Sequence, residues 1–266
     1  MAAQVRTCAL RSGSSGNSIL ISDGHTRLLV DAGVCARTIE QSLLEIGESA
    51  AMIDGILVTH EHSDHISGIG VMMRRYKTPV YANQATWQAM RPSLGKIDDQ
   101  LIRIVDTGRQ TVIGDLALTS YSTPHDAVDS VGYRIETVQG AISVFTDVGS
   151  LQEHLLSAVA GSRIIYIEAN YDHAMLMGGI YPAMLKHRIA SQYGHLSNDD
   201  CATAVCRLLE SGTSHFILSH ISKDNNYPEL ALQTVQASLL AAGARPGRDL
   251  TVDIAQRYAI SKPVCF

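Results

Sequence analysis

Apolar residues fall along this chain in two rhythms, short runs with the period of a strand and longer stretches with the period of a helix. Val5 to Leu10, Ser18 to Ser22 and Arg27 to Val30 read as opening strands, with Asp23-Gly24 as the turn between the last two. Thr38 to Ile46 has helical spacing and stops at Gly47. Strand and helix then alternate: strand Ile53 to Val58, helix Ile66 to Tyr76, strand Pro79 to Ala82, helix Gln84 to Met90 and strand Leu101 to Val105. From Gln110 the plan restarts. Thr111 to Ile113, Asp115 to Tyr121, Val131 to Glu136 and Ala141 to Phe145 are strand-like, followed by helix Leu151 to Val159 and strand Arg163 to Glu168. Helices Tyr181 to Ser191, Ser197 to Glu210 and Glu229 to Ala242 come next, with strand His215 to Ser219 among them and strand Thr251 to Ile254 after. Ser197, ahead of Asp199 and Asp200, is a plausible N-cap. Two strand-rich halves with helices outside predict two sheets packed face to face between helical layers, an α/β four-layer αββα sandwich.

Composition narrows this little. With 266 residues, no Pro/Ser/Gly-rich linker and 45% hydrophobic residues, the chain is expected to form one domain, 1–266, with a full core. It has no run of about 18 apolar residues, and no basic stretch followed by an apolar one opens it, so no membrane partner and a cytoplasmic location are expected. The cysteines, Cys8, Cys35, Cys201, Cys206 and Cys265, form no Cys-x-x-Cys pair and read as reduced thiols. A net charge of −5 argues against coating nucleic acid by bulk electrostatics, though not against a local basic path. Arg74, Arg75 and Lys77 are the nearest candidates for such a path, at a position where a solvated helix end equally favours cations.

The chemistry gathers in Thr59-His60-Glu61-His62-Ser63-Asp64-His65, directly behind an apolar strand. His60 and His62, two apart in extended chain, point to the same side, while Asp64 and His65 begin the next turn and can face a second ion. Crowding these groups costs solvation and repulsion that a bound cation removes. Further candidates follow strands: His125 in Ser122-Thr123-Pro124-His125-Asp126, Asp147 in Phe145-Thr146-Asp147, and His220 in Ile217-Leu218-Ser219-His220. Near the start, Ser12-Gly13-Ser14-Ser15-Gly16-Asn17-Ser18 lacks the lysine of a Walker loop; an anion-binding nest and a plain hairpin turn both fit it.

His-x-His-x-Asp-His, with His, Asp and His at later strand ends, resembles the metallo-β-lactamase fold superfamily over nearly the whole chain. The resemblance implies that His60, His62 and His125 hold one divalent ion and Asp64, His65 and His220 another, with Asp147 and a hydroxide bridging them. Asp147 stands where true β-lactamases typically carry cysteine, which disfavours lactam hydrolysis. His195, in Tyr193-Gly194-His195-Leu196-Ser197-Asn198, looks like the proton-donating histidine of ribonuclease Z-like phosphodiesterases; a helix-capping or core histidine is the competing reading. The loops Ser12 to Ser18, Gly194 to Asn198 and Ser219 to Asn226 resemble the YycJ/WalJ-type subfamily, described as DNA exonucleases. His125 and Asp147 lie 22 residues apart, too close for the tRNA-gripping arm of ribonuclease Z. The segment from Asp147 to His195 is too short for a β-CASP insertion.

These residues fit a dinuclear-metal phosphodiesterase with zinc or manganese, and iron as a further option, and the resemblance implies a nucleic-acid substrate, DNA above all. Asp64 is expected to orient the hydroxide and accept its proton, and His195 to protonate the leaving oxygen. Glu168 and Asp172 are candidates to hold His195, or ordinary strand-end polar residues. If the Ser14, Ser15, Gly16, Asn17, Ser18 loop receives a 5′-phosphate, degradation runs 5′ to 3′. The alternatives are a hydrolase of a cyclic phosphodiester or thioester, for which the Arg74, Arg75, Lys77 cluster and the Lys223 to Asn226 loop are less suited than for a polymer, and a binding protein with a vestigial site.

Overall fold

In the computed structural model, which describes residues 4–266, the strands assemble into two seven-stranded sheets. The first contains β1 (Arg6–Arg11), β2 (Ser18–Ser22), β3 (Arg27–Val30), β4 (Gly55–Leu57), β5 (Val80–Ala82) and β6 (Ile102–Ile104) in sequence order. The second contains β7 (Gln110–Ile113), β8 (Leu116–Ser122), β9 (Val131–Glu136), β10 (Ile142–Phe145), β11 (Ile164–Glu168), β12 (His215–Ser219) and β13 (Thr251–Ile254). The last strand, β14 (Val264–Cys265), returns to the first sheet and pairs antiparallel with β1. Each sheet is half antiparallel and half parallel: β1 to β3 and β7 to β10 run antiparallel, β3 to β6 and β10 to β13 parallel.

The two-residue period of the strands sorts their side chains into layers. Ile19, Ile21, Leu28 and Val30 meet Tyr133, Ile142, Val144 and Tyr166 in the core between the sheets. Their neighbours Leu20, Leu29 and Ile56 face outward to α1 (Ala36–Glu45), to α3 (Ile69–Tyr76), beyond the one-turn α2 (Ser63–Ile66), and to α4 (Gln84–Met90). On the opposite side, Ile165, Ile167, Phe216 and Leu218 pack against α5 (Glu153–Val159), which is followed by α6 (His173–Gly178) and α7 (Ala183–Ile189), and against α8 (Asn198–Glu210) and α9 (Pro228–Ala241). The expected αββα sandwich is therefore the observed one. None of the helices in the described residues is long and apolar enough to cross a membrane.

Differences from the sequence reading are local. The helix expected over Ile66 to Tyr76 breaks into α2 and α3, because the Gly68 N–H bonds across to the Ala32 carbonyl. The helix expected from Tyr181 starts only after Pro182. α6 and β14 went unpredicted, one a short helix capped by Asp172 and the other two residues long. The parallel strands β10, β11 and β12 end on the same edge as β3 and β4, and the candidate residues collect there.

Candidate metal centre

The loop after β4 turns its ligand-type side chains inward because its backbone is pinned from two sides. Asn17 N–H donates to the Asp64 carbonyl at 2.8 Å, and Ala32 N–H to that of His65 at 2.9 Å. Gly33 lies so close that a Cβ there would sit 1.6 Å from the Asp64 oxygen, so only glycine fits. Within the loop His60 and His65 are fully buried, and His62 is half-buried.

Two groups form. The rings of His60, His62 and His125 lie 4.5, 4.9 and 5.2 Å apart, centroid to centroid. Asp64 Oδ2 lies 3.5 Å from His65 Nε2 and 3.6 Å from His220 Nε2. Between them stands Asp147, with Oδ2 3.5 Å from His65 Nε2 and Oδ1 3.8 Å from His125 Nε2 and 3.3 Å from His220 Nδ1. All seven residues expected from the sequence are thus brought together from four separate segments of the chain, the loop after β4 and the turns after β8, β10 and β12. Glu61 turns away and accepts the Val128 N–H at 2.8 Å.

Strand ends deliver these residues at a conformational cost. Asp31, Asp147 and His220, which follow β3, β10 and β12, have φ of 63°, 57° and 51°, left-handed values that non-glycine residues adopt at a cost of about 1 kcal/mol or more each. The turn re-aims each side chain from the sheet into the site.

Behind the cluster, buried acceptors fix the imidazoles. Asp31 accepts the Thr59 N–H at 2.8 Å, the Thr59 hydroxyl at 2.9 Å and His65 Nδ1 at 2.8 Å. His60 Nδ1 rests on the Thr59 hydroxyl at 3.0 Å, and His125 Nδ1 donates to the Gly194 carbonyl at 3.0 Å. Glu168, the last residue of β11, receives His220 Nδ1 at 2.7 Å and His195 Nδ1 at 2.8 Å on one oxygen, and the N–H groups of Val148 and Leu196 on the other. With Nδ1 occupied, each of these rings keeps its Nε2 for another partner. Asp172, the other candidate to hold His195, instead caps α6. Asp31 is not among the residues expected from the sequence; its one local signal is an acid closing the apolar run Leu28 to Val30.

Charge is unevenly distributed. Burial, and then the neighbouring His65, His125 and His62, hold His60 neutral with its pKa well below the usual value. Burial opposes charge on His220 too, but Asp147, Asp64 and Glu168 outweigh it and raise its pKa to about 10. Burial likewise works against ionised Asp64 and Asp147, yet the surrounding imidazoles keep both carboxyls below their ordinary range.

The donor set fits a cation. His60 Nε2, His125 Nε2, Asp147 Oδ2 and His220 Nε2 are buried with no hydrogen-bond partner, an expense that proteins seldom tolerate without a ligand. Imidazole and carboxylate atoms of His60, His62 and His125, and of Asp64, His65 and His220, each lie within 4.8 Å of one another.

The remaining sequence candidates divide. His195 joins the cluster, its ring 5.0 Å from His125 and 5.2 Å from His220. The Ser12 to Ser18 loop flanks it, but the Gly16 N–H donates to Gly13, Asn17 Nδ2 sits 3.1 Å from His65 Nε2, and the Ser18 hydroxyl donates to Asp31 O. Ser14 and Ser15 alone of the five are exposed. Arg74, Arg75 and Lys77 are exposed, and Arg74 lines a cleft with Glu61 and Ser63 of the loop after β4; Arg74 also binds the Leu94 and Lys96 carbonyls, Arg75 pairs with Glu40, and Lys77 closes α3.

Fold and site define a member of the β-lactamase superfamily, whose domain model matches residues 26–221, and the chain belongs to that family. Within it, the chain is 41% identical over 245 residues to exodeoxyribonuclease WalJ of Streptococcus pneumoniae serotype 2, covering 91% of each chain. It is 37% identical over 234 residues to exodeoxyribonuclease YycJ of Bacillus anthracis, covering 88% of this chain and 89% of that one. Among solved structures, the metallo-β-lactamase fold protein YhfI from Bacillus subtilis superposes with a TM-score of 0.74 over 99% of this chain and 100% of its own, at 15% identity, a likeness of fold.

Proposed function

We propose that this chain is a metal-dependent exodeoxyribonuclease that hydrolyses phosphodiester bonds from a DNA end. The observation that carries the reading is the convergence of four buried, unpartnered ligand atoms beside the partly exposed imidazole of His195. Kinship with two proteins named as exodeoxyribonucleases supports the choice of DNA.

His60, His62 and His125 would hold one divalent ion and Asp64, His65 and His220 a second, with Asp147 shared; such ligands suit zinc or manganese, and also iron. Bound there, the ions supply Lewis acidity toward a phosphoryl oxygen and lower the pKa of water. The chain's own side chains handle the protons. Asp64, whose side chain is 22% exposed, is the most open carboxylate of the cluster and stays ionised, suited to orient attacking water and accept its proton. His195, anchored through Nδ1 on Glu168, keeps Nε2 for protonating the leaving oxygen. The exposed tip of the Ser14, Ser15, Gly16, Asn17, Ser18 loop is the proposed seat of a terminal 5′-phosphate, giving 5′ to 3′ polarity. The cysteines are free, which suits the reducing cytoplasm.

The test is degradation of end-labelled single- and double-stranded DNA and RNA by zinc- and manganese-loaded protein, with metal content measured per chain. Mononucleotide release is expected, falling by about a thousandfold or more in His62→Ala and Asp64→Ala. Equal use of 5′-phosphorylated and 5′-hydroxyl ends, with attack from the 3′ end, would remove the loop assignment. Turnover of bis-p-nitrophenyl phosphate with no polymer degraded would turn the reading to a small-ester hydrolase.

A further inference from the structure

A separate cleft of about 320 Å³ opens against the outer wall of the candidate centre, lined by Ser12, Lys223, Tyr227, Arg257 and Tyr258 among others. Its wall is continuous with the cluster, because the Ser12 hydroxyl accepts the backbone N–H of His220 at 2.9 Å.

Arg257 is the unusual group. It is half-buried and donates to the Ile221 carbonyl, yet no carboxylate among the described residues lies within ion-pair distance of it. The nearby acid, Asp224, is occupied by the Tyr181 hydroxyl at 2.7 Å. A guanidinium drawn partly from water without a counter-ion is costly, and the cost is offset when an anion arrives. The sequence also makes room for it: a Cβ on Gly13, at φ +133°, would sit 2.8 Å from Arg257 Nη1, so glycine lets the cation lie against the serine-rich loop. Lys223, exposed at the same cleft, adds a second positive charge.

The aromatics at the cleft are left open to solvent. Tyr258 is 68% exposed and Tyr227 47%, and the Arg257 guanidinium lies 5.8 Å from the Tyr258 ring centroid. Flat rings beside cations are how proteins hold unpaired bases with their phosphates, and every base offers a stacking face. In a chain of net charge −5, attraction for a polyanion has to come from such locally placed cations.

We propose that this cleft receives the nucleotide adjoining the bond being cut, its base stacked on Tyr258 and Tyr227 and its phosphate held by Arg257 and Lys223. The proposal rests on the exodeoxyribonuclease reading and assigns that reading a substrate subsite. Stacking requires an unpaired base, so the subsite selects a single-stranded or frayed end over an intact duplex end.

The experiment is fluorescence anisotropy of metal-loaded protein with labelled single-stranded DNA carrying phosphorothioate linkages, over a series of salt concentrations. Arg257→Gln is expected to weaken binding about tenfold and lower the slope of log K against log salt by about one, whereas Arg257→Lys keeps the slope. Tyr258→Ala is expected to weaken binding by about tenfold with the slope unchanged. Wild-type binding with all three variants within about twofold of it would overturn the subsite while leaving the nuclease reading standing. A wild type that neither binds nor degrades DNA overturns both. Should Arg257→Gln fail to fold, Arg257→Lys and Tyr258→Ala decide between these outcomes.

Discussion

Asp31 and Glu168 are the same device built into the two halves of the molecule, and they differ in a telling way. Each is a buried carboxylate at the end of a parallel strand, one in each sheet, and each accepts Nδ1 of a histidine in the cluster. Asp31 serves the contiguous loop, through His65 and Thr59. Glu168 serves residues far apart in sequence, His195 and His220, and also takes two backbone N–H groups. Burial dominates at Asp31 and raises its pKa despite His65. Burial is also the largest influence on Glu168, but two imidazoles and their hydrogen bonds together outweigh it and depress the pKa. Equal burial therefore gives opposite outcomes, following the one imidazole at Asp31 and the two at Glu168.

Breaking the Glu168 side should do the greater damage. Glu168→Gln removes the charge behind two histidines at once, and kcat is expected to fall about a hundredfold with metal affinity also reduced, read by steady-state kinetics and metal titration. Asp31→Asn keeps Thr59 bonded and touches only His65 directly; about a tenfold loss of metal affinity is expected in the same titration.

Acid titration sharpens the contrast. Glu168, depressed in the folded state, stabilises the fold above its ordinary value of 4.5, and that stability is lost as pH falls below it. Asp31, raised above 3.8, has the opposite sign: its contribution weakens stability as pH rises through 3.8. Denaturant titrations of metal-free protein below pH 5 should therefore show a shallower acid loss in Glu168→Gln and a steeper one in Asp31→Asn, relative to the parent. In alkali, His220 contributes stability that is complete below its ordinary value of 6.5 and lost as pH rises toward about 10. Metal loading should release protons across that window, measurable calorimetrically in buffers of different ionisation enthalpy.

The smallest effect is expected outside both carboxylates. Ser197 caps α8 through the Asp200 N–H, two residues past His195, so Ser197→Ala should cost about 1 kcal/mol in denaturant stability. A kcat within about twofold of the parent would mean that Glu168, rather than the cap, sets His195.

The sequence was most legible where chemistry is contiguous. His60 to His65 can be read from spacing alone, and the two-residue alternation of Ile19 to Ile21 or Ile164 to Ile167 forecasts which faces meet between the sheets. His125, Asp147 and His220 are legible from the residues themselves only as polar groups behind apolar strands, and their expected ligand roles come from the family resemblance, since convergence depends on how parallel strands end together. Asp31 was missed because a lone aspartate before Ala-Gly looks like a turn residue, and its left-handed φ is visible only in the fold. The partners of Arg74 and Arg75, the Leu94 carbonyl and Glu40, lie at distances in sequence that no local pattern encodes.

The return of β14 to the first sheet sets a schedule for synthesis. Thr7 pairs with Val264, and Val5 and Phe266 exchange both backbone hydrogen bonds. Until the segment around Val264 leaves the ribosome, the outer edge of β1 stays open, although every proposed ligand through His220 has already emerged. A nascent chain can thus assemble its ligands while still displaying an unpaired edge to other chains, and a truncation removing only this short strand should show itself as aggregation before it shows itself as lost chemistry.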